Sequence, residues 1–417
     1  MKELEKTQLE DKEESFDHRT FGSEHNWFFS NTAPGFLSWG PQGYRLKELI
    51  RNYINRFQRE VCGIQLVKTP VLAKKELFLK TGHLPLYSEN IFAEIKKGEE
   101  ELILRPMTCP HHILLAKEII ISKSQLPYFM GENSLLHRDE YSGGLLGLKR
   151  VRAMELIDTH IFLLPEQAPE LIPRVLSWIW RLLRKFQIEL KEIVLATKAS
   201  KNKYISGEEE WEEVESILFN STSGWAEKNN LAGLLVKKEG DAAFYGPKID
   251  FNAVDKQNQT YTISTLQLDC FMTKRLGFEL DSLNPWVIHL GLIGTLERFI
   301  AYLIERYQGR FPFWLCPTQI SIIPIDPEKF GGVAQELAYR LSQKGFRACP
   351  DLGKERFTKK VLLSSKSKIP FQILVGEKES QSLDVLQVRQ LGEKEPKTFK
   401  FSEFIDHLKE LNAEGNL

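Results

Sequence analysis

The sequence predicts an α+β fold: a large first domain on a mainly antiparallel sheet, followed by a smaller α/β domain. Two observations predict it. Through the first ~300 residues, short strand-like runs cluster around helical stretches and do not alternate with them. After GRFPFWLCP (309–317), a connector bearing Pro and aromatic residues, strands and helices alternate over about a hundred further residues, near the usual size of a domain. The expected division is an N-terminal extension 1–16, a first domain 17–315 and a second domain 316–417.

The elements follow in order. Residues 1–16 are polar and read as frayed or helical. YRLKELIRNYINRFQRE (44–60) has apolar residues at helical spacing, and IQLVKTP reads as a strand stopped by Pro70. LILRPM and SLLHRDE are short strand runs. RVRAMELIDTHIFLL (150–164) reads as a long strand with partial alternation. EQAPELIPRVLSWIWRLLRKFQI is the clearest long helix. AAFYGPKIDFNAV and TYTISTLQLDCF read as paired strands. WVIHLGLIGTLERFIAYLIERY passes from an apolar strand into a helix. Beyond the connector, QISIIPID, GVAQELAYRLSQKG, FRACPD, a basic helix, FQILVG, LDVLQVRQ and a last helix complete the chain. No internal repeat and no low-complexity tract interrupts it.

Composition excludes several classes. Hydrophobic residues make up 42% and charged residues 27% of the 417, as in an ordinary globular protein. No stretch of about 18 apolar residues occurs, so no transmembrane helix is expected. MKELEKTQLEDKEE lacks the apolar core of a secretory signal. Five scattered cysteines suit a reducing cytoplasm better than a disulfide framework. The 56 basic and 56 acidic residues balance, but from Arg340 to Lys368 nine Lys/Arg face only Asp351 and Glu355. That stretch is either a solvated face or a phosphate-binding patch.

Neither G-x-x-x-x-G-K-[ST] nor a strand-linked G-x-G-x-x-G is present, so a nucleotide would need another holder. Arginines are the substitute, because guanidinium forks match phosphate oxygens and keep their charge. Arg138 and Glu140 lie in LHRDEYSGG, Arg298 in GTLERF, and Arg150 and Arg152 stand two apart in RVRAM, which predicts one strand face. RPMTCPHH (105–112) puts Cys109 beside His111 and His112. As a local metal site this is weak, because side chains at i and i+2 diverge on a helix. A buried, inert Cys109 is the plain alternative.

LHRDEYSGG with RVR resembles motif 2 of the class II aminoacyl-tRNA synthetases, GLIGTLERF resembles motif 3, and the stretch ending at Pro70 resembles motif 1. More narrowly, DHRTFG (17–22), KTGHLPLY (80–87), RPMTCPHH, RVRAMELIDTHIF, AFYGPKIDF (243–251), STLQLD (264–269) and VIHLGLIGTLERF (287–299) resemble the threonyl-tRNA synthetase family, in family order. The region from PDLGKERFTKKV to LQVRQ resembles that family's anticodon-binding domain, which implies a mixed sheet there.

The resemblance implies a zinc ion held by Cys109, His160 and His289. Three protein ligands leave a position open for substrate. In the family, the amino nitrogen and hydroxyl of L-threonine both coordinate this ion, which valine cannot match. A site built around a substrate hydroxyl rejects an analogue lacking it by roughly 10⁴–10⁵. Asp158 is implied to accept from that hydroxyl, Tyr245 to lie near the amino group, and Gln267 to line both the amino-acid and the ATP sites. Arg138 is implied to hold the α-phosphate, where charge develops, and Arg298 the γ-phosphate. Arg150 is implied to assist the bent triphosphate, Glu140 to contact the adenine amino group or its loop, and Met154 to cover the adenine. Mg²⁺ is expected with ATP, tRNA(Thr) as the second substrate, and a homodimer through motif 1. Lys360, Glu379 and Arg389 stand at positions that the family uses to read anticodon bases, as unpaired RNA bases usually are read.

The sequence departs from the family at two places. Many members carry an aromatic residue where Met154 stands and Gln where Leu156 stands. The first change leaves a polarizable cover for a base; the second removes an amide that helps to bind carboxylate or phosphate. Because DHRTFG begins at Asp17, the reading also expects no seryl-tRNA-hydrolysing domain ahead of it, hence no such editing by this chain.

Overall fold

The structure is a computed structural model and describes residues 16–199, 204, 208–255 and 258–417. All but the last residue of the polar N-terminal extension lies outside the described residues. Eight strands form the large sheet. They are β1 (Gln65–Leu66), β2 (Tyr128–His137), β3 (Ala153–Leu163), β4 (Leu190–Thr197), β5 (Leu235–Glu239), β6 (Lys248–Val254), β7 (Thr260–Asp269) and β8 (Trp286–Thr295). Their order is β5-β4-β6-β7-β8-β3-β2-β1. All neighbours are antiparallel except the two outermost pairs.

The sheet has two different faces because its strands alternate. On β3, Ile157 and Ile161 point into the main core, as do Ile288, Leu290 and Leu292 on β8 and Leu266 and Leu268 on β7. Burying one such side chain contributes about 1.5–3 kcal/mol. This face packs against helices α3 (Ala168–Lys185) and α5 (Leu296–Tyr307), whose buried residues, among them Leu171, Val175, Ile179, Phe299, Ile300 and Leu303, join the same core. The opposite face carries Met154, Leu156, Asp158 and His160 at every second position of β3. It is left open as a cleft. Helix α1 (Pro41–Phe57) also joins the core, and helix α2 (Cys109–Ile119) packs on the cleft side.

Beyond the connector, Ile320–Pro324, Ala348–Pro350, Phe371–Val375, Val385–Gln390 and Lys397–Lys400 build a mixed five-stranded sheet. Helices Pro327–Gln343, Phe357–Lys366 and Phe401–Ala413 flank it, and it has a core of its own. The expected α+β architecture with a smaller mixed-sheet domain is what the chain adopts.

Several local expectations change. The IQLVKTP strand shrinks to two paired residues. AAFYGP is a turn, and pairing starts only at Lys248. Arg150 and Arg152 do not share a strand face: β3 begins at Ala153, and both arginines sit in the returning arm of a hairpin, held there by bonds to Glu140. Helix α4 (Glu208–Lys228) and strands β4 and β5 are additional to the sequence reading. Helix α4 is strongly polar, and its buried side is a thin line of Trp211, Val214, Leu218, Thr222, Trp225 and Ala226.

Ile161→Ala, on the core face, should lower the unfolding free energy by about 2–5 kcal/mol. Leu156→Ala, half-buried on the cleft face, should cost clearly less. Denaturant titration of the two variants checks this assignment of faces; equal losses would contradict it.

Candidate active site

Strand register assembles the floor of the cleft. His160 on β3 is the direct cross-strand partner of His289 on β8. His289 in turn pairs with Gln267 on β7, and Gln267 with Lys248 on β6. Directly paired residues share a face, so four strands deliver a row of polar side chains to one place. Cys109 arrives from elsewhere: it is the first residue of α2, with Pro110 behind it fixing the helix start. The donor atoms of Cys109, His160 and His289 all lie within 4.8 Å of one another, and all three residues are buried.

Each histidine is held by a bond at its other nitrogen. His289 Nε2 bonds to the Asp269 carboxylate at 2.9 Å, which leaves Nδ1 with a lone pair. His160 Nδ1 meets His112 Nδ1 at 2.8 Å, and His112 Nε2 faces Glu132 at 3.3 Å. Glu132 can only accept, so His112 donates to it from Nε2; His160 then completes the chain by donating from Nδ1, which frees its Nε2. Carboxylates behind histidines in this way are the usual support of a metal centre. Burial, with His289 and His112 nearby, holds the His160 imidazolium well below its ordinary range, and metal ligation needs a neutral ring. Burial and the Asp158 and Asp269 charges push the Cys109 thiol well above its ordinary range. The thiolate there therefore needs a cation beside it. Donor set, spacing and supporting bonds all fit a zinc ion. His111 and His112 are not part of this group: His112 stands behind His160, and the His111 ring packs near Phe78.

The same cleft, about 560 Å³, continues past this floor to a cationic end. Its lining includes Asp158, Tyr245 and Gln267 beside the histidines, then Met154, Leu156, Glu140, Arg138, Arg150 and Arg298. Burial raises the Asp158 carboxyl above its usual range, with the nearby His112 pulling the other way. The Tyr245 hydroxyl donates to the Gln267 amide oxygen, and its ring lies 4.8 Å from that of His289. A Cβ at Gly246 would stand 2.0 Å from the Leu268 carbonyl oxygen, so only glycine lets this turn approach β7 so closely. Arg138 donates from Nε to the Pro106 carbonyl at 3.2 Å and lies over the Tyr87 ring. Arg298, in the first turn of α5, donates from Nε to the Lys149 carbonyl at 3.2 Å. Burial and the nearby Arg138 charge depress its guanidinium, which favours an anion between the two. Arg150 is paired with Glu140 at 2.7 Å.

All eleven residues expected for metal, ATP and amino acid are thus gathered in one cleft. The sequence reading left His83, Glu132, Asp269 and Lys149 without roles, and weighed His112 only as a member of the weak local metal site. His83 lies in KTGHLPLY, with Nε2 3.6 Å from the Cys109 sulfur, and burial pushes its imidazolium down to about 3. In the second domain, Lys360 is buried and donates to the Asp351 carbonyl at 2.8 Å. Glu379 is buried and accepts from the Gly376 N–H at 3.0 Å. Arg389 is half-buried and donates to the Glu393 carbonyl. Exposed basic side chains of the 340–368 stretch include Arg340, Lys344, Lys354, Arg356, Lys359 and Lys366.

Residues 92–307 match the tRNA synthetase class II core domain (G, H, P, S and T), and residues 319–411 match an anticodon binding domain. The chain belongs to the class II tRNA synthetase core family. Within that class its curated relatives include the threonine–tRNA ligase of Geobacillus kaustophilus, 37% identical over 400 residues, 93% of this chain and 60% of the relative. That of Streptococcus suis is 36% identical over 412 residues, 96% of this chain and 62% of the relative. The chain thus spans about 60% of the length of the curated relatives it matches. The RNA binding domain of threonyl-tRNA synthetase from Cryptosporidium parvum superposes with a TM-score of 0.83 at 29% identity, covering 95% of this chain and 98% of that one. A Giardia lamblia prolyl-tRNA synthetase shares the fold, with a TM-score of 0.71 at 15% identity and coverage of 95% and 79%.

Protein loaded with Co²⁺ should take up one ion per chain and show a thiolate-to-cobalt absorption band. Cys109→Ser should abolish the band and His111→Ala should leave it intact. The reverse pattern would move the metal to the local Cys-His-His cluster.

Proposed function

We propose that this chain is a zinc-containing threonine–tRNA ligase. It activates L-threonine with ATP and passes the threonyl group to the 3′ end of tRNA(Thr) in the cytoplasm. One observation carries the reading: the Cys109–His160–His289 donor set and the arginines Arg138 and Arg298 line the same cleft. An amino acid held at the first and a triphosphate held at the second would meet in between. Threonine–tRNA ligases among the relatives support the choice of amino acid.

In the reaction, a threonine carboxylate oxygen attacks the α-phosphorus of ATP and the bond to pyrophosphate breaks. A ribose hydroxyl of the tRNA then attacks the adenylate carbonyl, and AMP leaves. Cys109, His160 and His289 would hold a zinc ion, which would supply Lewis-acid binding of the amino and hydroxyl groups of threonine and so select against valine. Asp158 accepts from the threonine hydroxyl. Tyr245 and Gln267, already joined to each other, present polar atoms to the amino group and to the nucleotide. Arg138 faces the α-phosphate, where negative charge grows, and Arg298 the γ-phosphate, with Arg150 beside the bent chain; Mg²⁺ would enter with ATP and offset phosphate charge. Met154 covers the adenine, and Glu140 orients Arg150 and the adenine edge. Where the family uses an amide, Leu156 offers only apolar surface, so the substrate carboxylate depends more heavily on Arg138.

Residues 17–315 make up the catalytic unit in this reading and 316–417 the anticodon-binding unit. Reading of bases by Lys360, Glu379 and Arg389 requires their internal bonds to be exchanged for bonds to RNA, while the exposed Lys354, Arg356, Lys359 and Lys366 meet phosphates first. The chain acts as a homodimer through the motif 1 region. Among the described residues, no helix is long and apolar enough to cross a membrane.

ATP–pyrophosphate exchange tests the proposal. L-threonine should support exchange. Serine lacks one methyl, and a difference of that size discriminates by roughly 10–200-fold, so it should support slower exchange; valine should support none. Arg138→Ala and Arg298→Ala should each lower the rate by about 10²-fold or more. Exchange driven by a different amino acid would reassign the substrate, and no exchange with any would leave a tRNA-binding chain without catalysis.

A further inference from the structure

Behind the cationic end of the cleft, three segments distant in sequence meet in a closed ring of buried polar groups. His18, on the helix His18–Glu24, has Nδ1 2.7 Å from a Glu305 carboxylate oxygen. Its Nε2 accepts the backbone N–H of Leu148 at 3.0 Å. The peptide runs on to Lys149, whose ammonium lies 2.8 Å from the second Glu305 oxygen. Lys149 also donates to the Tyr261 hydroxyl at 2.6 Å and reaches Asp255 at 3.5 Å. Lys149 lines the cleft and would pass for a phosphate ligand, but its charge is already committed.

The ring is tight. His18 is 1%, Glu305 3% and Lys149 8% exposed. The turn ahead of Leu148 has Gly147 at φ +50°, and a Cβ there would lie 2.3 Å from His18 Nε2. Asp17, His18 and Glu305 have donor atoms spaced as if for a metal. Lys149 already supplies the positive charge that such an ion would bring.

The ring bears on Arg298 through helix α5. Arg298 and Glu305 are seven residues apart, two turns along one side of the helix. Both reach Lys149: Glu305 takes its ammonium, and Arg298 donates from Nε to its carbonyl at 3.2 Å. The hairpin turn and the helix are therefore fastened to each other at two points by one residue, and His18 closes the ring from outside.

We propose that His18 is a positioning residue for Arg298. By holding the Leu148 N–H and Glu305 together, it fixes the Leu148–Lys149 segment, whose Lys149 carbonyl orients the guanidinium toward a bound triphosphate. It touches no substrate and acts through the hairpin. The inference rests on the proposed reading only in taking the anion at Arg298 to be ATP.

The test is equilibrium binding of Mg²⁺–ATP to the full chain in a double-mutant cycle, with threonine-dependent exchange alongside. His18→Ala should weaken ATP binding about 10- to 100-fold, the range of a lost charge-assisted contact, and should leave the KM for threonine unchanged. Combined with Arg298→Ala it should add nothing to the loss from Arg298→Ala alone, because the two act in series. Additive losses, or an equal rise in the threonine KM, would overturn the proposal. Glu305→Gln keeps the shape of the ring and removes its negative charge. It should show the same lack of additivity and serves in place of His18→Ala should that variant not fold. A wild-type chain that binds ATP but exchanges nothing with threonine would contradict the proposed function, and the binding cycle would still decide the role of His18.

Discussion

The direct pairing of His160 with His289 across two neighbouring inner strands, β3 and β8, is the constraint on which the cleft depends. A slip of one residue between these strands would turn one imidazole into the core and destroy the donor set. The register is fixed from the other face. Ile157 and Ile161 on one strand, and Ile288, Leu290 and Leu292 on the next, are fully buried against the main core. The apolar residues thus determine where the polar ones stand. From that pair the row extends by register alone to Gln267 and Lys248. Only Cys109 has to be brought in separately, at the start of a helix.

A wall of polar groups this deep is stable only if every charge has a partner. Arg105 and Glu132 are both fully buried and joined at 2.8 Å. Burial alone would raise the Glu132 carboxyl, but bonds from His112, Arg105 and Thr69 outweigh it and hold the group far below the usual carboxylate range. Removing one partner of such a pair costs about 3–5 kcal/mol, because the other is left uncompensated. The line Arg105–Glu132–His112–His160 therefore ties the orientation of the His160 ring to an internal salt bridge. A second line does the same for the motif elements. Glu297 on α5 takes the Lys47 ammonium at 2.8 Å and the Glu155 backbone N–H at 2.9 Å, joining α1, α5 and β3.

Much of this was legible in the sequence, for reasons that differ from residue to residue. The α+β order and the change of pattern after residue 317 follow from hydrophobic periodicity. Cys109, His160 and His289 lie far apart, so no spacing rule joins them; the family resemblance named them together, and strand register brings the two histidines side by side. Local reading failed where tertiary contacts decide. Arg150 and Arg152 read as strand residues but are drawn into the hairpin by Glu140. Helix α4 has too few apolar residues to announce itself. Lys360 and Glu379 were expected at positions that read anticodon bases, yet both are buried with backbone partners. His112 looked like a candidate ligand and instead supports one.

X-ray absorption at the zinc edge of the metal-loaded chain tests the central claim most directly, because it reports on the donor set itself. Without substrate the account predicts one sulfur and two imidazole nitrogens from the protein. L-threonine should change the spectrum by adding light-atom donors, while valine, lacking the hydroxyl, should not reproduce that change. A shell with no sulfur, or one that stays the same when threonine binds, would contradict the account.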